Sequence, residues 1–242
     1  MRIGIIADIH ANFEALEVVL NALQKKEVDQ LICLGDLVGY GPNPNECVAK
    51  VLEICDIVVA GNHDHGAIGK CSIDRFNAFA RQAILWTHDV LTSEFKQAIQ
   101  ELPLLWDNGQ LMAVHASPEA PEKWHYVSSE DAVFRSLMAL TSSYCFIGHT
   151  HIPAIFSRTR EGDIILQKGK SLTLQKDQLH LINVGSVGQP RDSDPRAAYG
   201  VLDMDKSQFE LYRVPYDIEA VQAKMTKEGI PDFLIQRLKV GQ

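Results

Sequence analysis

Five short apolar runs in this chain of 242 residues, at 3–7, 31–34, 57–60, 111–114 and 144–147, each lead into side chains that bind metal cations. The polar ends are Asp8-Ile9-His10, Gly35-Asp36, Gly61-Asn62-His63-Asp64, His115 and Gly148-His149-Thr150-His151. The runs are rich in β-branched residues and read as strands. Strand, turn and polar residue, repeated five times, is the pattern of an α/β sheet that presents a reactive site at the carboxyl ends of its strands.

Between these runs the periodicity changes. Leu16, Val19, Leu20 and Leu23 are spaced as one face of a helix, with Asn12 as its N-cap. A second helix is expected from Pro44, which suits the first helical position, with Val48, Val51 and Leu52 on its buried face. The first part therefore alternates β-α-β-α-β, as layered α/β folds do. Residues 72–101 read as two helices, with Ile84, Leu85, Val90 and Leu91 as apolar surface. Asn108-Gly109, between the runs at 104–107 and 111–114, predicts a hairpin with a type I′ turn. A helix over 129–140 would bury Ala132, Val133, Leu137 and Leu140. From residue 144 strands dominate. Turns at Glu161-Gly162-Asp163, Lys168-Gly169-Lys170 and Lys176-Asp177, with runs at 179–184, 198–203 and 209–214, predict an antiparallel meander. Two helices, about 217–228 and 231–239, follow. With no internal repeat or linker, residues 1–242 read as one domain, a two-sheet sandwich flanked by helices.

Composition works by exclusion. The net charge is −8 and the Lys and Arg residues are not clustered, so no stable nucleic acid binding is expected. Cys33, Cys47, Cys55, Cys71 and Cys145 lack CxxC spacing and read as free thiols in a reducing cytoplasm, which argues against zinc–thiolate chemistry. The chain starts on a strand without a signal-peptide pattern. No apolar run approaches the ~20 residues needed to cross a bilayer. A cytoplasmic protein with no membrane partner is expected.

Asp8 and His10 lie two apart, and on an extended backbone they would address one cation. His149 and His151 share that spacing, unless a loop splays them. Carboxylate with imidazole suits Mn, Fe, Zn, Co or Ni ions. Ca²⁺ and Mg²⁺ prefer all-oxygen shells. Seven candidate ligands, Asp8, His10, Asp36, Asn62, His115, His149 and His151, are too many for one tetrahedral ion and fit two that share a carboxylate. Two cations about 3.5–4 Å apart clamp a phosphoryl group and acidify a shared water. Their charge of about +4 outweighs the two motif carboxylates, so an anionic substrate fits despite the chain's negative charge.

In this order, Asp8-x-His10, Gly35-Asp36, Gly61-Asn62-His63-Asp64, His115 and Gly148-His149-x-His151 resemble the motifs of the calcineurin-like metallophosphoesterase superfamily. The segment from Ile182 to Arg191 is similar to the strand and loop that follow in its compact prokaryotic branch. The resemblance implies a four-layer α/β/β/α sandwich of two mixed sheets flanked by helices. It implies two divalent or trivalent transition metal ions, manganese favoured over iron, zinc, cobalt or nickel. Asp8, His10 and His151 would hold the first ion, Asn62, His115 and His149 the second, and Asp36 would bridge them. A bridging hydroxide would attack phosphorus in line. His63 would stabilise the transition state or protonate the leaving oxygen. Asp64 would orient a neighbouring loop or ligand. The implied substrate is a small-molecule or nucleotide phosphoester, a phosphodiester first, with a phosphomonoester or nucleotide polyphosphate as the alternative. A non-catalytic binding scaffold is disfavoured, because no motif residue is lost. Protein phosphatases of this superfamily carry Gly-Asp-x-Val-Asp-Arg-Gly at the second motif. Here Gly39 and Tyr40 replace that carboxylate and guanidinium, which sets the chain apart from that branch.

Arg191 follows a loop containing Asn183, Gly185, Ser186 and Gly188. It is a candidate to pair phosphate oxygens bidentately, or to form a surface salt bridge with Asp192 or Asp194. Trp124 is a candidate substrate wall, while Trp86 and Trp106 read as packing. His65, His88, His125 and His180 read as ordinary histidines, with His65 and His125 as candidates for the cleft border. The glycines of Gly35-Asp36 and Gly61-Asn62 are expected to let the chain turn sharply off its strand.

Overall fold

Alternation along the first strand sets the layering. In the computed structural model, which describes residues 1–167, 169, 171–175 and 177–242, the chain begins β1 (Arg2–Ile6), α1 (Phe13–Lys25), β2 (Gln30–Cys33), α2 (Pro44–Ile54) and β3 (Ile57–Val58). Helices α3 (Asn62–Ala67), α4 (Ala78–Val90) and α5 (Ser93–Gln100) come next. They lead to β4 (Leu105–Asp107), β5 (Leu111–Val114), α6 (Glu130–Met138), β6 (Tyr144–Ile147), β7 (Ala154–Arg158) and β8 (Ile164–Gln167). The chain continues with β9 (Ser171–Thr173), β10 (Leu179–Asn183), β11 (Ala197–Asp203), β12 (Gln208–Val214), α7 (Ile218–Lys227) and α8 (Asp232–Val240).

The strands form two six-stranded mixed sheets, ordered β3-β2-β1-β11-β12-β9 and β4-β5-β6-β10-β7-β8. Ile3 and Ile5 face the second sheet and pack there with Phe146 and Ile182, and with Phe209 of their own sheet. Ile6 faces the other way, into a core with Leu16, Val19 and Leu23 of α1 and Val48 and Val51 of α2. Across the second sheet, Met112, Val114, Cys145 and Leu181 pack against Val133 and Leu137 of α6. Three apolar cores between four layers make the α/β/β/α sandwich that the sequence predicts. Within each sheet three strands run parallel: β1, β2 and β3 in one, β5, β6 and β10 in the other. Their carboxyl ends are where the five motifs sit.

Local chemistry explains the helix starts. Asn12 Oδ1 accepts the Ala15 N–H at 3.1 Å, and Asn12 Nδ2 donates to the Gly188 carbonyl at 2.9 Å. Pro44 opens α2 as expected. Ser129 caps α6. Among the described residues no helix is long and apolar enough to cross a membrane. The five cysteines are free.

Several expectations need correction. Leu52 is 38% exposed; Cys47 joins Val48 and Val51 inside, because a helix turns each next residue about 100° around its axis. Leu85 and Val90 are exposed, and α4 buries Ala80, Ala83, Ile84 and Thr87 instead. Leu140 lies beyond the end of α6. The Asn108 turn is shifted: only Gly109 has a positive φ (+85°), and Asn108 Oδ1 accepts the N–H groups of Gln110 and Leu111. The later strands are not a simple meander. β10 inserts between β6 and β7, parallel to one and antiparallel to the other, while β9 joins the first sheet beside β12. The turns assigned to Lys168-Gly169-Lys170 and Lys176-Asp177 fall on residues 168, 170 and 176, outside the described residues. Helix α3 has no apolar periodicity to announce it.

Phe146 is fully buried on β6, 5.6 Å from the ring of Phe209. Phe146→Ala should lower stability by about 3–5 kcal/mol through the cavity it leaves. The midpoint and slope of urea unfolding measure this.

Candidate metal centre

The loops that leave the parallel strands are tied to one another by their backbones. Asp8 N donates to Gly35 O at 3.0 Å, His10 N to Asp36 O at 2.9 Å, Gly148 N to His115 O at 2.9 Å and Gly188 N to Asp8 O at 2.9 Å. Asp8, His10, Asp36, His149 and His151 all adopt left-handed backbone conformations, with φ between 50° and 67°. Each such non-glycine residue carries a cost of order 1–3 kcal/mol, and such strain concentrates at functional sites. The extended backbone expected for Asp8 and His10 is therefore replaced by a turn. His149 and His151 are splayed to different partners.

Two clusters result. In the first, His10 Nε2 lies 3.1 Å from His151 Nε2, 3.9 Å from Asp8 Oδ1 and 3.6 Å from Asp36 Oδ2. His151 Nε2 is 3.4 Å from Asp8 Oδ1. In the second, His115 Nε2 lies 3.2 Å from His149 Nδ1, 3.2 Å from Asn62 Oδ1 and 3.3 Å from Asp36 Oδ2. All seven side chains are buried. Asp36 belongs to both clusters through Oδ2, because its Oδ1 accepts the His63 N–H at 2.8 Å.

The outward nitrogen of each imidazole is already committed. His10 Nδ1 bonds Val38 O (3.0 Å), His115 Nδ1 bonds Leu34 O (2.8 Å), His151 Nδ1 bonds Gln189 O (2.6 Å) and His149 Nε2 bonds Trp124 O (3.0 Å). A ring nitrogen facing a carbonyl must donate, which leaves the inward nitrogen of a neutral ring as an acceptor. Except at His115, whose inward nitrogen keeps a proton in the metal-free chain, bare nitrogens then face carboxylate and amide oxygens. Such a gathering of acceptors calls for cations, and its imidazole, carboxylate and amide donors fit transition metals.

The electrostatics agree. Burial pushes His10, His149 and His151 down, His149 to about 3. Burial would also depress His115, but Asp36 and Asp8 outweigh it and raise it to about 9. Burial opposes ionisation of Asp36, yet His115 and His63 hold it well below the usual carboxylate range. In the metal-free chain a proton on His115 stands where a cation would.

Asp64 orients a loop, as expected: Oδ1 accepts the N–H groups of Leu37 (2.9 Å) and Val38 (3.2 Å), and Oδ2 accepts that of Gly61 (2.9 Å). Gly61 is not at positive φ (−103°). It is small because a Cβ there would overlap Asp36 Oδ1. At Gly39 (φ +87°) a Cβ would overlap the ring of His63. The protein-phosphatase carboxylate thus has no room here.

The His63 ring is buried against Tyr40 (4.4 Å between centroids), His10 (4.8 Å) and Phe76 (5.0 Å), and its Nδ1 has no partner among the described residues. Arg191 does not form the alternative salt bridge. Asp192 pairs with Arg213 and Asp194 with Arg196. Arg191 instead donates to Gln189 Oε1 at 2.9 Å, lies 3.4 Å from the Tyr40 hydroxyl and leaves its buried Nε unpartnered among the described residues. Trp124 is half-buried, edge-on to His65 (5.4 Å) and His115 (5.9 Å), and backs the second cluster. His65 is buried beneath it, and His125 is exposed. Sequence reasoning missed Tyr126, which is 54% exposed and stacks on His149 at 3.9 Å. It stands outside every motif.

Comparison with known proteins shows what the chain is similar to. The profile of the calcineurin-like phosphoesterase superfamily domain matches residues 1–207. The uncharacterized protein MJ0912 of Methanocaldococcus jannaschii is 40% identical over 246 residues, covering 99% of this chain and 98% of its own. The crystal structure of a metallophosphoesterase from Sphaerobacter thermophilus superposes with a TM-score of 0.87 at 38% identity, over 100% of this chain and 99% of that one. Phosphodiesterase YfcE of Escherichia coli is 23% identical over 213 residues, 85% of this chain and 89% of its own.

His115 is raised, so the metal-free chain keeps its proton below about pH 9 and loses it above. A cation needs the bare nitrogen. Loading with Mn²⁺ at about pH 7.5 should therefore release on the order of one proton, and apparent affinity should climb with pH until about 9. Titration calorimetry in buffers of different ionisation enthalpy reads the proton count.

Proposed function

The chain belongs to the calcineurin-like phosphoesterase superfamily, a family of phosphoric ester hydrolases, and we propose that it is a dinuclear metal-dependent phosphodiesterase. One observation carries the reading: two clusters of buried acceptors that share a single oxygen, Asp36 Oδ2. Asp8, His10 and His151 would hold one ion, Asn62, His115 and His149 the other, with Asp36 common to both. When bound, the ions supply positive charge to a phosphoryl group and acidify water. Manganese is favoured because three of the seven donors are oxygens and none is a thiolate. The five free thiols fit a cytoplasmic setting.

The chain's own residues do the rest. Arg191 brings a guanidinium without a carboxylate partner among the described residues to the rim of the first cluster, suited to the non-bridging oxygens of a phosphate. His63 is fixed from behind by its backbone bond to Asp36 and from the sides by Tyr40 and Phe76. Burial, together with nearby Arg191 and His115, pushes it down to about 4 against the pull of Asp36. A neutral ring carries one N–H, which His63 would present to an oxygen gaining negative charge. The small-molecule substrate would enter beside Tyr126, which covers His149.

His63→Ala should keep its metal content while turnover of bis-p-nitrophenyl phosphate falls by roughly 10²–10³-fold. Unchanged turnover removes His63 from the reaction. Asp36→Asn takes charge from both clusters and should lose both ions and activity together, read by elemental analysis.

A further inference from the structure

The outer face of the second sheet is only partly covered. Side chains alternate along β7: Ile155 points into the core between the sheets, while Ala154 and Phe156 point the other way. The register of the β7–β8 pair sets Leu166 opposite Phe156 and Ile164 opposite Arg158, so these side chains share the outer face. Helix α6 packs on β5, β6 and β10 through Val133 and Leu137. Between α6 and the hairpin runs a groove of about 880 Å³, with Val133 and Phe134 from the helix and Phe156, Ile164 and Leu166 from the strands. Phe134 is 49% and Leu166 57% exposed, on opposite sides of it.

The groove adjoins the metal clusters. Thr150, which lines it, stands between His149 and His151 in the chain, and Ile152, which also lines it, follows His151. From a separate loop comes Val127, next to Tyr126, whose ring stacks on His149 at 3.9 Å. Consecutive Cα atoms are about 3.8 Å apart, so two loops bring the groove within one residue of the second cluster.

Size and chemistry limit the occupant. Small-molecule sites span roughly 300–1,000 Å³ and are mostly apolar, and apolar side chains exposed together mark a binding surface. Glu130 and Asp131 line the groove, and among the described residues no Lys or Arg does. A further phosphate or a carboxylate is repelled there, whereas an uncharged hydrocarbon group is not. Continuity with the clusters favours a part of the substrate over a second copy of the chain.

We propose that this groove receives an uncharged, apolar organic group of the substrate while its phosphate sits at the metal clusters. The natural substrate is then a phosphodiester with one hydrocarbon-rich arm. This deepens the phosphoesterase reading and rests on it for the position of the phosphate.

The test compares dimethylphosphinate with hexyl(methyl)phosphinate by titration calorimetry on the Mn²⁺-loaded chain. Both are monoanions with no ester bond to cleave. Wild type should bind the hexyl compound at least tenfold more tightly, because its extra methylenes leave water. A terminal carboxylate on the hexyl chain should remove most of that gain. In Phe134→Ala and in Leu166→Ser the gain should fall several-fold, with dimethylphosphinate affinity and melting temperature unchanged, and Phe134→Leu should keep most of it. No gain in wild type, or a gain untouched by both substitutions, overturns the proposal. So does a dimer in sedimentation that both substitutions dissociate, without a hexyl gain, which would make the groove a contact between copies. The ratio needs no turnover. A wild-type chain that shows the gain but cleaves no ester sinks the catalytic reading alone, and one that cleaves bis-p-nitrophenyl phosphate without the gain sinks this proposal alone.

Discussion

Four backbone carbonyls decide which way the histidine nitrogens face, and the site depends on that choice. Leu34, Val38, Trp124 and Gln189 each take a ring N–H and so turn an acceptor inward. The loops around them are tied to one another in turn: the backbone N–H groups of Asp8, His10 and Gly148 donate to the carbonyls of Gly35, Asp36 and His115. A site of converging acceptors is unfavourable by itself, since lone pairs repel and five of its residues sit in left-handed backbone. The apolar cores on both faces of both sheets offset this, and a bound cation converts the repulsion into attraction.

The share of this legible in the sequence follows from what each feature needs. Strand-then-ligand segments are local, so the motifs and the four layers could be read from residue order. Which ligands pair is not local, and the resemblance to the family motifs, not the spacing, is what assigns it. His149 and His151, two apart, go to different clusters because the backbone at both turns left-handed, and spacing does not encode a φ angle. The insertion of β10 between β6 and β7 is a choice among buried strands of similar character. Tyr126 has an aromatic ring in a loop with no periodicity, and only its stacking on His149 marks it. Sequence suggests conformational freedom at Gly61, while the structure uses it for space, to let the Asp36 carboxylate close on the backbone.

The departure at the second motif becomes intelligible in three dimensions. Gly39 is small because the ring of His63 occupies the place of its side chain. Tyr40, where the protein-phosphatase branch has arginine, turns its ring between His10, His63 and the C-terminal helix. The guanidinium is not lost from this region. It arrives from a different loop, as Arg191, whose backbone N–H bonds the carbonyl of His151 at 3.2 Å and whose head lies over Tyr40. Moving the cation from the second motif to the loop after β10 frees Tyr40 to serve as a floor on which α8 can pack. A helix outside the family domain then reaches the rim of the metal clusters. Within such a frame the ligand set can stay fixed while the helix beyond residue 207 varies, since Leu238 meets His10, Tyr40 and Gln189 around one small cavity.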